Sequence, residues 1–100
     1  MPGAATQNIQ RVLAVLCDIV DKDGMVPHSP AVVQVGRRTG LQELTVRKHL
    51  KALMALRVIE VVRAREKFPV ANEKPRLRNF IRLLKPDAVI VKRGGFYTLD

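Results

Sequence analysis

The sequence predicts an α+β fold in which three helices pack with short antiparallel strands. Apolar residues recur every three or four positions in three stretches, residues 6–21, 30–39 and 43–56, which is typical of helices with one buried face. β-branched residues are concentrated in residues 58–65, and residues 88–99 hold two apolar runs around a Gly-Gly pair, which is typical of strands. The length suits a single domain spanning residues 1–100.

Composition restricts the classes of partner. The net charge is +9 and the isoelectric point about 10.7, values typical of domains that bind nucleic acid. Residues 1–29 carry two basic and three acidic side chains, so the positive charge belongs to the rest of the chain. Cys17 has no partner for an internal disulfide, and no Cys or His cluster has metal-ligand spacing. We therefore expect a cytoplasmic protein without metal, cofactor or membrane association.

The first helix is expected to begin at Thr6, as its cap, and to run to about Asp21. Its apolar residues form one stripe, Ile9, Val12, Leu13, Leu16, Ile19 and Val20. Because its outer face is not basic, we interpret this helix as scaffold, with a contact to a second subunit left open. A turn at residues 22–24 should lead into a brief edge strand over residues 25–28, where Pro27 suits an edge position.

Two helices separated by a short turn form the most informative part of the sequence. Ser29 is expected to cap a helix that starts at Pro30 and stops at Gly40, a residue type that favours left-handed helix ends. The next helix should cover residues 43–56. Its buried face is expected to carry Val46, Leu50, Leu53 and Met54, and its exposed face Leu44, Lys48 and Lys51. A helix, a turn with glycine and a basic helix make a helix-turn-helix.

The run TGLQELTVRKHLKALMALRVIEVV resembles the winged helix-turn-helix DNA-binding domains of bacterial and archaeal transcription regulators. The matching positions are Gly40, Leu41, Thr45, Val46, Leu50, Leu53, Val58 and Ile59. The resemblance implies that the second of these helices enters the major groove of double-stranded DNA. Gln42 stands where this family usually has a serine cap, and Arg57 where it usually has glycine. We expect weak capping at the first position, and at the second either left-handed backbone or a shifted helix end.

Residues in the N-terminal half of that helix can reach base edges, and the candidates there are Gln42, Glu43, Thr45, Arg47 and Lys48. The full set of predicted DNA-binding residues on this helix is Gln42, Glu43, Leu44, Thr45, Arg47, Lys48 and Lys51. Arg47 is predicted to contact guanine because its planar fork matches two acceptors on that base, whereas Lys48 and Lys51 are assigned to phosphate. Glu43 either accepts a hydrogen bond from cytosine or faces away from the DNA. Leu44 suits a thymine methyl group or a protein partner.

The wing of this fold is expected to contain an insertion. After a strand over residues 58–65, residues 66–92 separate it from the closing stretch GGFYTLD, which we interpret as the returning strand. Within the insertion, Pro75 should open a short basic amphipathic helix over residues 76–84. Residues 88–91 and 96–99 should form a final hairpin. The predicted contacts to the DNA backbone are Arg37, Arg38, Arg78, Arg82, Lys92 and Arg93.

These patterns predict a protein that binds double-stranded DNA and regulates transcription, as a compact repressor. A homodimer on a palindromic site is the usual form of such regulators. Two alternatives remain open, a replication or recombination protein of a mobile element and a winged-helix protein-interaction module. No nucleophile with a base, metal triad or phosphate-binding glycine loop is present in the sequence, so neither an enzyme nor a small-molecule ligand is expected.

Overall fold

Three helices and five short strands make up the part of the chain that the computed structural model describes, residues 4–66, 74 and 76–100. In chain order they are α1 (Ala4–Ile19), β1 (Met25–Pro27), α2 (His28–Thr39), α3 (Glu43–Ala55), β2 (Ile59–Arg65), β3 (Leu77–Leu83), β4 (Ile90–Arg93) and β5 (Phe96–Leu99). The fold is α+β with small antiparallel sheets, as the sequence predicted.

The first helix supplies one wall of the core. Ile9, Val12, Leu13 and Leu16 are fully buried, so the predicted apolar stripe is confirmed. The helix begins at Ala4 and ends at Ile19, and the predicted cap Thr6 therefore lies inside its first turns. The chain then turns because the Asp21 carboxylate accepts hydrogen bonds from two backbone N–H groups, those of Asp23 at 2.8 Å and Met25 at 3.0 Å.

Helix α2 starts two residues earlier than expected. Its N-cap is Pro27 and no side chain caps it, so the prediction that Ser29 caps a helix opening at Pro30 is wrong. Pro30 is tolerated because N–H groups of the first turn have no partner within the helix. The helix ends at Gly40 with φ 76°, as predicted. A Cβ on Gly36 would stand 3.2 Å from the Leu41 carbonyl oxygen, so glycine allows the turn to approach α2 closely.

Helix α3 ends in a left-handed turn built on a residue other than glycine. Arg57 has φ 60°, which confirms the backbone expected from its place in the sequence. The N–H of Arg57 donates to the Met54 carbonyl and that of Val58 to the Leu53 carbonyl, each at 3.0 Å. This is the Schellman arrangement, and its apolar contact is supplied by Leu53 and Val58, both fully buried. At the other end Gln42 makes no side-chain capping bond, as expected.

The sheet next to the helices has the strand order β1-β3-β2 and is antiparallel. Residues 77–83 are therefore a strand, and the predicted amphipathic helix over residues 76–84 is wrong. Its apolar residues fit helical spacing by coincidence, whereas seven cross-strand pairs to β2, including Val61–Ile81 and Val62–Phe80, satisfy the backbone of both strands. The expected opening residue Pro75 lies outside the described residues.

The closing residues of the chain form a separate hairpin. Among the described strands, β4 and β5 pair with each other and with no other, so the prediction that GGFYTLD returns alongside β2 is wrong, while the predicted hairpin itself is confirmed. Ile90 is buried in the same cluster as Val26, Ile59 and Ile81, and Tyr97 and Leu99 pack against that cluster. The hairpin is thereby held against the core shared by the three helices and the sheet.

Candidate nucleic-acid interface

The outward face of α3 carries two lysines and a leucine. Leu44 is 75% exposed, and Lys48 and Lys51 are also exposed, while Val46, Leu50 and Leu53 on the opposite face are buried. No carboxylate of the described residues forms an ion pair with either lysine, since the ion pairs involve other cations. The face therefore presents two positive charges that no carboxylate in the described part of the chain neutralises.

Arg47 lies on one flank of α3 and is held by Glu43, one turn earlier. Its Nε donates to Glu43 Oε1 at 3.0 Å and a terminal nitrogen donates to the same oxygen at 2.9 Å. The pair follows the helical spacing of four residues and is solvent-exposed. The other predicted reading residues occupy the start of α3, where Gln42 is exposed and Thr45 is half-buried. The structure thus places the candidates on α3 and its N-cap, with Gln42 to Thr45 at the start of the helix and Lys51 in its C-terminal half.

The end of α2 contributes two exposed arginines. Arg37 and Arg38 both lie in its last turn, where a cation also favours the helix dipole. A terminal nitrogen of Arg38 lies 3.4 Å from an Asp18 carboxylate oxygen, whereas Arg37 has no carboxylate partner among the described residues. Of these two predicted backbone contacts, Arg37 has the uncompensated charge.

The β2–β3 hairpin separates its arginines onto two faces. Arg78 and Arg82 lie on the face opposite the core, where Arg78 pairs with Glu66 at 3.1 Å and Arg82 with Glu60 at 3.0 Å. These two arginines were predicted to share the polar face of a helix, and each is instead on a strand beside a carboxylate. Their charges are therefore largely compensated within the protein.

Two arginines that the sequence interpretation did not select lie on the other face of this hairpin. Arg63 and Arg65 alternate with Ala64 and continue the face of Val61 and Ile81, beyond the point where the core ends. Both are exposed, and neither pairs with a carboxylate of the described residues. The period of two within residues 58–65 could have placed them on this face, because alternate residues of a strand share a face.

The β4–β5 hairpin carries the last two predicted cations. Lys92 Nζ lies 5.7 Å from the centre of the Tyr97 ring, a cation–π contact, and Tyr97 in turn meets His49 of α3 edge to face at 6.5 Å. Arg93, at the turn, lies 3.6 Å from the Asp100 carboxylate. Through Tyr97, Lys92 is placed beside α3, which the sequence alone did not indicate.

Both histidines are held in the neutral form near neutral pH. Burial lowers the pKa of His49, and the positive charge of Lys48 lowers it further. Burial also lowers the pKa of His28, with Arg47 as the second cause. For Cys17, burial and the carboxylates of Asp18 and Asp87 raise the pKa of the thiol, which disfavours the reactive thiolate. The positive potential of the site is therefore due to lysine and arginine.

The described residues contain no group of three or more metal-ligating side chains. Among the helices of the described chain, none has the length and apolar character that a membrane span requires. Comparison with protein-family models, curated proteins and solved structures finds no match for this chain.

Proposed function

We propose that this chain binds double-stranded DNA as a winged helix-turn-helix domain, with α3 in the major groove. The α2–turn–α3 unit, the left-handed turn at Gly40 and the small sheet that follows α3 agree with that arrangement. A major groove about 12 Å wide accepts a helix whose diameter with side chains is about 10–12 Å. The dimensions of α3 therefore suit the groove.

The observation that carries this proposal is the uncompensated charge on the exposed face of α3. Lys48 and Lys51 project from the helix without a carboxylate partner among the described residues. A buried or structural role does not explain them, because both are exposed. Phosphates flanking a major groove are the natural counter-ions for two such lysines on one helix face.

The β2–β3 hairpin is the proposed wing. Arg63 and Arg65 lie on its core-side face, and this hairpin follows α3 directly in the chain through the turn at Arg57. Cations on that face can reach phosphates that flank the bound helix. The proposed wing contacts are thus Arg63 and Arg65 rather than Arg78 and Arg82, which face the other way and are paired with Glu66 and Glu60.

Transcription regulation is the proposed use of this binding, with repression as the specific form. The helix-turn-helix commonly serves this purpose, and a dimer would bind two half-sites one helical turn apart. Replication or recombination of a mobile element is the alternative within the same class of partner, and it would require a site that need not be palindromic.

Selection from a random duplex library at near-physiological salt tests the proposal. Enrichment of a palindromic motif is expected for a dimeric regulator, and its half-site spacing reports the geometry of the dimer. A one-sided motif would favour the replication or recombination alternative. Failure to retain any duplex would contradict DNA binding.

One observation favours a second candidate, a protein-interaction module. Leu44 is 75% exposed at the N-terminal end of the face that carries Lys48 and Lys51, and large exposed apolar residues often mark partner surfaces. Competition separates the two functions. If α3 binds DNA, an excess of unrelated duplex should displace any acidic protein captured by this face, whereas a specific protein interface should resist it.

A further inference from the structure

The tip of the β4–β5 hairpin exposes an aromatic ring opposite an arginine. Phe96 is 75% exposed and lies directly across from Arg93, while Lys92 precedes Arg93 on the same strand. The turn between the strands is Gly94-Gly95, with φ of 58° and 84°, values that suit the tight turns of two-residue hairpins. No packing role explains the ring, since its face of the hairpin otherwise holds Arg93, Val91 and Thr98.

The hairpin that carries this ring is fixed to the helices at two places. The side-chain amide of Gln10 in α1 donates to the Ala88 carbonyl and accepts from the Ile90 N–H, both at 2.9 Å, as a neighbouring strand would. Further along, Tyr97 contacts His49 of α3. The tip is therefore positioned by the core.

The direction of the hairpin follows from these anchors. Its strands leave α1 at Ile90 and pass α3 where Lys92 pairs with Tyr97. They reach the turn one residue later. At about 3.3 Å per residue, the three steps from Ile90 to Arg93 span about 10 Å of strand. Arg93 and Phe96 thus form the cross-strand pair next to Lys92–Tyr97, the pair that adjoins α3.

We propose that Phe96 contacts a DNA base, with its ring inserted at a base step beside the segment bound by α3, while Lys92 and Arg93 hold the adjacent phosphates. This inference rests on the proposed function and adds a second reading element to it. Apolar side chains at the tips of basic elements unstack base steps in this way, and a π-face stacks on any base. The Arg93–Asp100 pair is long and exposed, so solvent screens it and Arg93 can exchange to phosphate.

The positive charge near Phe96 favours a DNA base over an apolar protein surface as the contact of its ring. A single ring with Arg93 opposite it across the hairpin lacks the contiguous apolar area that protein interfaces use. A DNA duplex can contact both the ring and the cations of the tip, because the faces of its bases are apolar and its backbone is anionic.

The test uses a duplex retained in the library selection, with 2-aminopurine substituted for adenine at successive positions. Wild-type protein should raise the 2-aminopurine fluorescence at one step beside the α3 segment, because unstacking relieves quenching. Phe96→Ala should abolish that rise and weaken binding about tenfold. Phe96→Trp should retain both, since it keeps an aromatic ring. Melting temperatures should be equal for all three proteins, because residue 96 is exposed.

The matched control is Val89→Ala, which also shortens an exposed apolar residue but at the α1 end of the hairpin. It should change neither fluorescence nor affinity. The inference is overturned if wild-type protein binds DNA without a rise at any position, or if Phe96→Ala binds and unstacks as wild type does. It is also overturned if Phe96→Ala only dissociates a protein dimer in sedimentation. Absence of any DNA binding by wild type would instead contradict the proposed function.

Discussion

The outer face of α3 and the outer face of the β1-β3-β2 sheet both carry basic residues, but their electrostatic surroundings differ. On α3, Lys48 and Lys51 have no carboxylate partner among the described residues. On the sheet, Arg78 and Arg82 each lie within 3.1 Å of a glutamate oxygen. Equal formal charge thus gives unequal attraction for a polyanion, because a paired arginine must lose its carboxylate before it gains a phosphate.

The largest expected effect comes from removing two cations from each face in turn. Lys48→Ala with Lys51→Ala should reduce the slope of log K against log salt by about 2, since each lost phosphate contact removes about 0.9. The matched variant, Arg78→Ala with Arg82→Ala, should leave the slope nearly unchanged. Fluorescence anisotropy over a salt series measures both slopes. An equal loss from the sheet variant would show that pairing does not withhold these arginines from DNA.

Substitution of Arg47 tests whether the arginine that is ion-paired with Glu43 on α3 reads a base. Arg47→Ala is expected to cost about 1–3 kcal/mol of discrimination against a substituted guanine, because the bidentate contact is lost. Relative affinities for duplexes with single base-pair changes measure this. Arg82→Ala, which removes a similarly paired arginine from the sheet, serves as control and should leave the base preference intact. Uniform weakening on all sequences by Arg47→Ala would assign it to phosphate instead.

The pKa of His49 depends on the positive charge of Lys48 on α3. Because Lys48 contributes to the lowered pKa of His49, Lys48→Ala should raise that pKa towards its ordinary value of 6.5, and Arg82→Ala should not. An NMR titration of the imidazole signals measures the shift. No change in Lys48→Ala would mean that solvent already screens this lysine completely.

The same histidine makes stability depend on pH. Its pKa is lower in the folded protein than in the unfolded chain, so below about pH 6.5 the unfolded chain binds more protons. Stability should therefore be complete above that pH and fall as the pH drops towards the folded pKa. Thermal melts at a series of pH values should show this fall. In the control His49→Phe the fall in stability should be smaller, because phenylalanine keeps a ring against Tyr97 but cannot take up a proton. The fall that remains is due to His28, whose pKa is also lowered.

Local signals explain which parts of this fold could be predicted from the sequence. The stripe from Ile9 to Leu16, the glycine after α2 and the left-handed site at Arg57 each depend on neighbours close in the chain, and each agrees with the structure. The order of α1, β1, α2, α3 and β2 followed from such signals. The candidate residues of α3 share one helix for the same reason.

Distant pairing explains the errors. Residues 77–83 have helical spacing, but they form a strand because Val61 and Val62, far earlier in the chain, offer apolar cross-strand partners. The register then decides that Arg82 meets Glu60, and it leaves Arg63 and Arg65 on the other face. The pattern of one strand, read without its pairing partner, therefore predicts neither the face on which each arginine lies nor the carboxylate with which it pairs.

The smallest expected effect sharpens the contrast between the faces. Glu60→Gln breaks the exposed pair with Arg82, and such pairs contribute about 0.2–1 kcal/mol, so urea unfolding should show a loss within that range. Although the substitution removes a negative charge, DNA affinity should stay constant, because the released arginine faces away from α3. Glu43→Gln removes the same charge from α3 and should tighten binding by releasing Arg47. Equal tightening by both substitutions would place the outer face of the sheet against DNA and reverse the assignment of the wing.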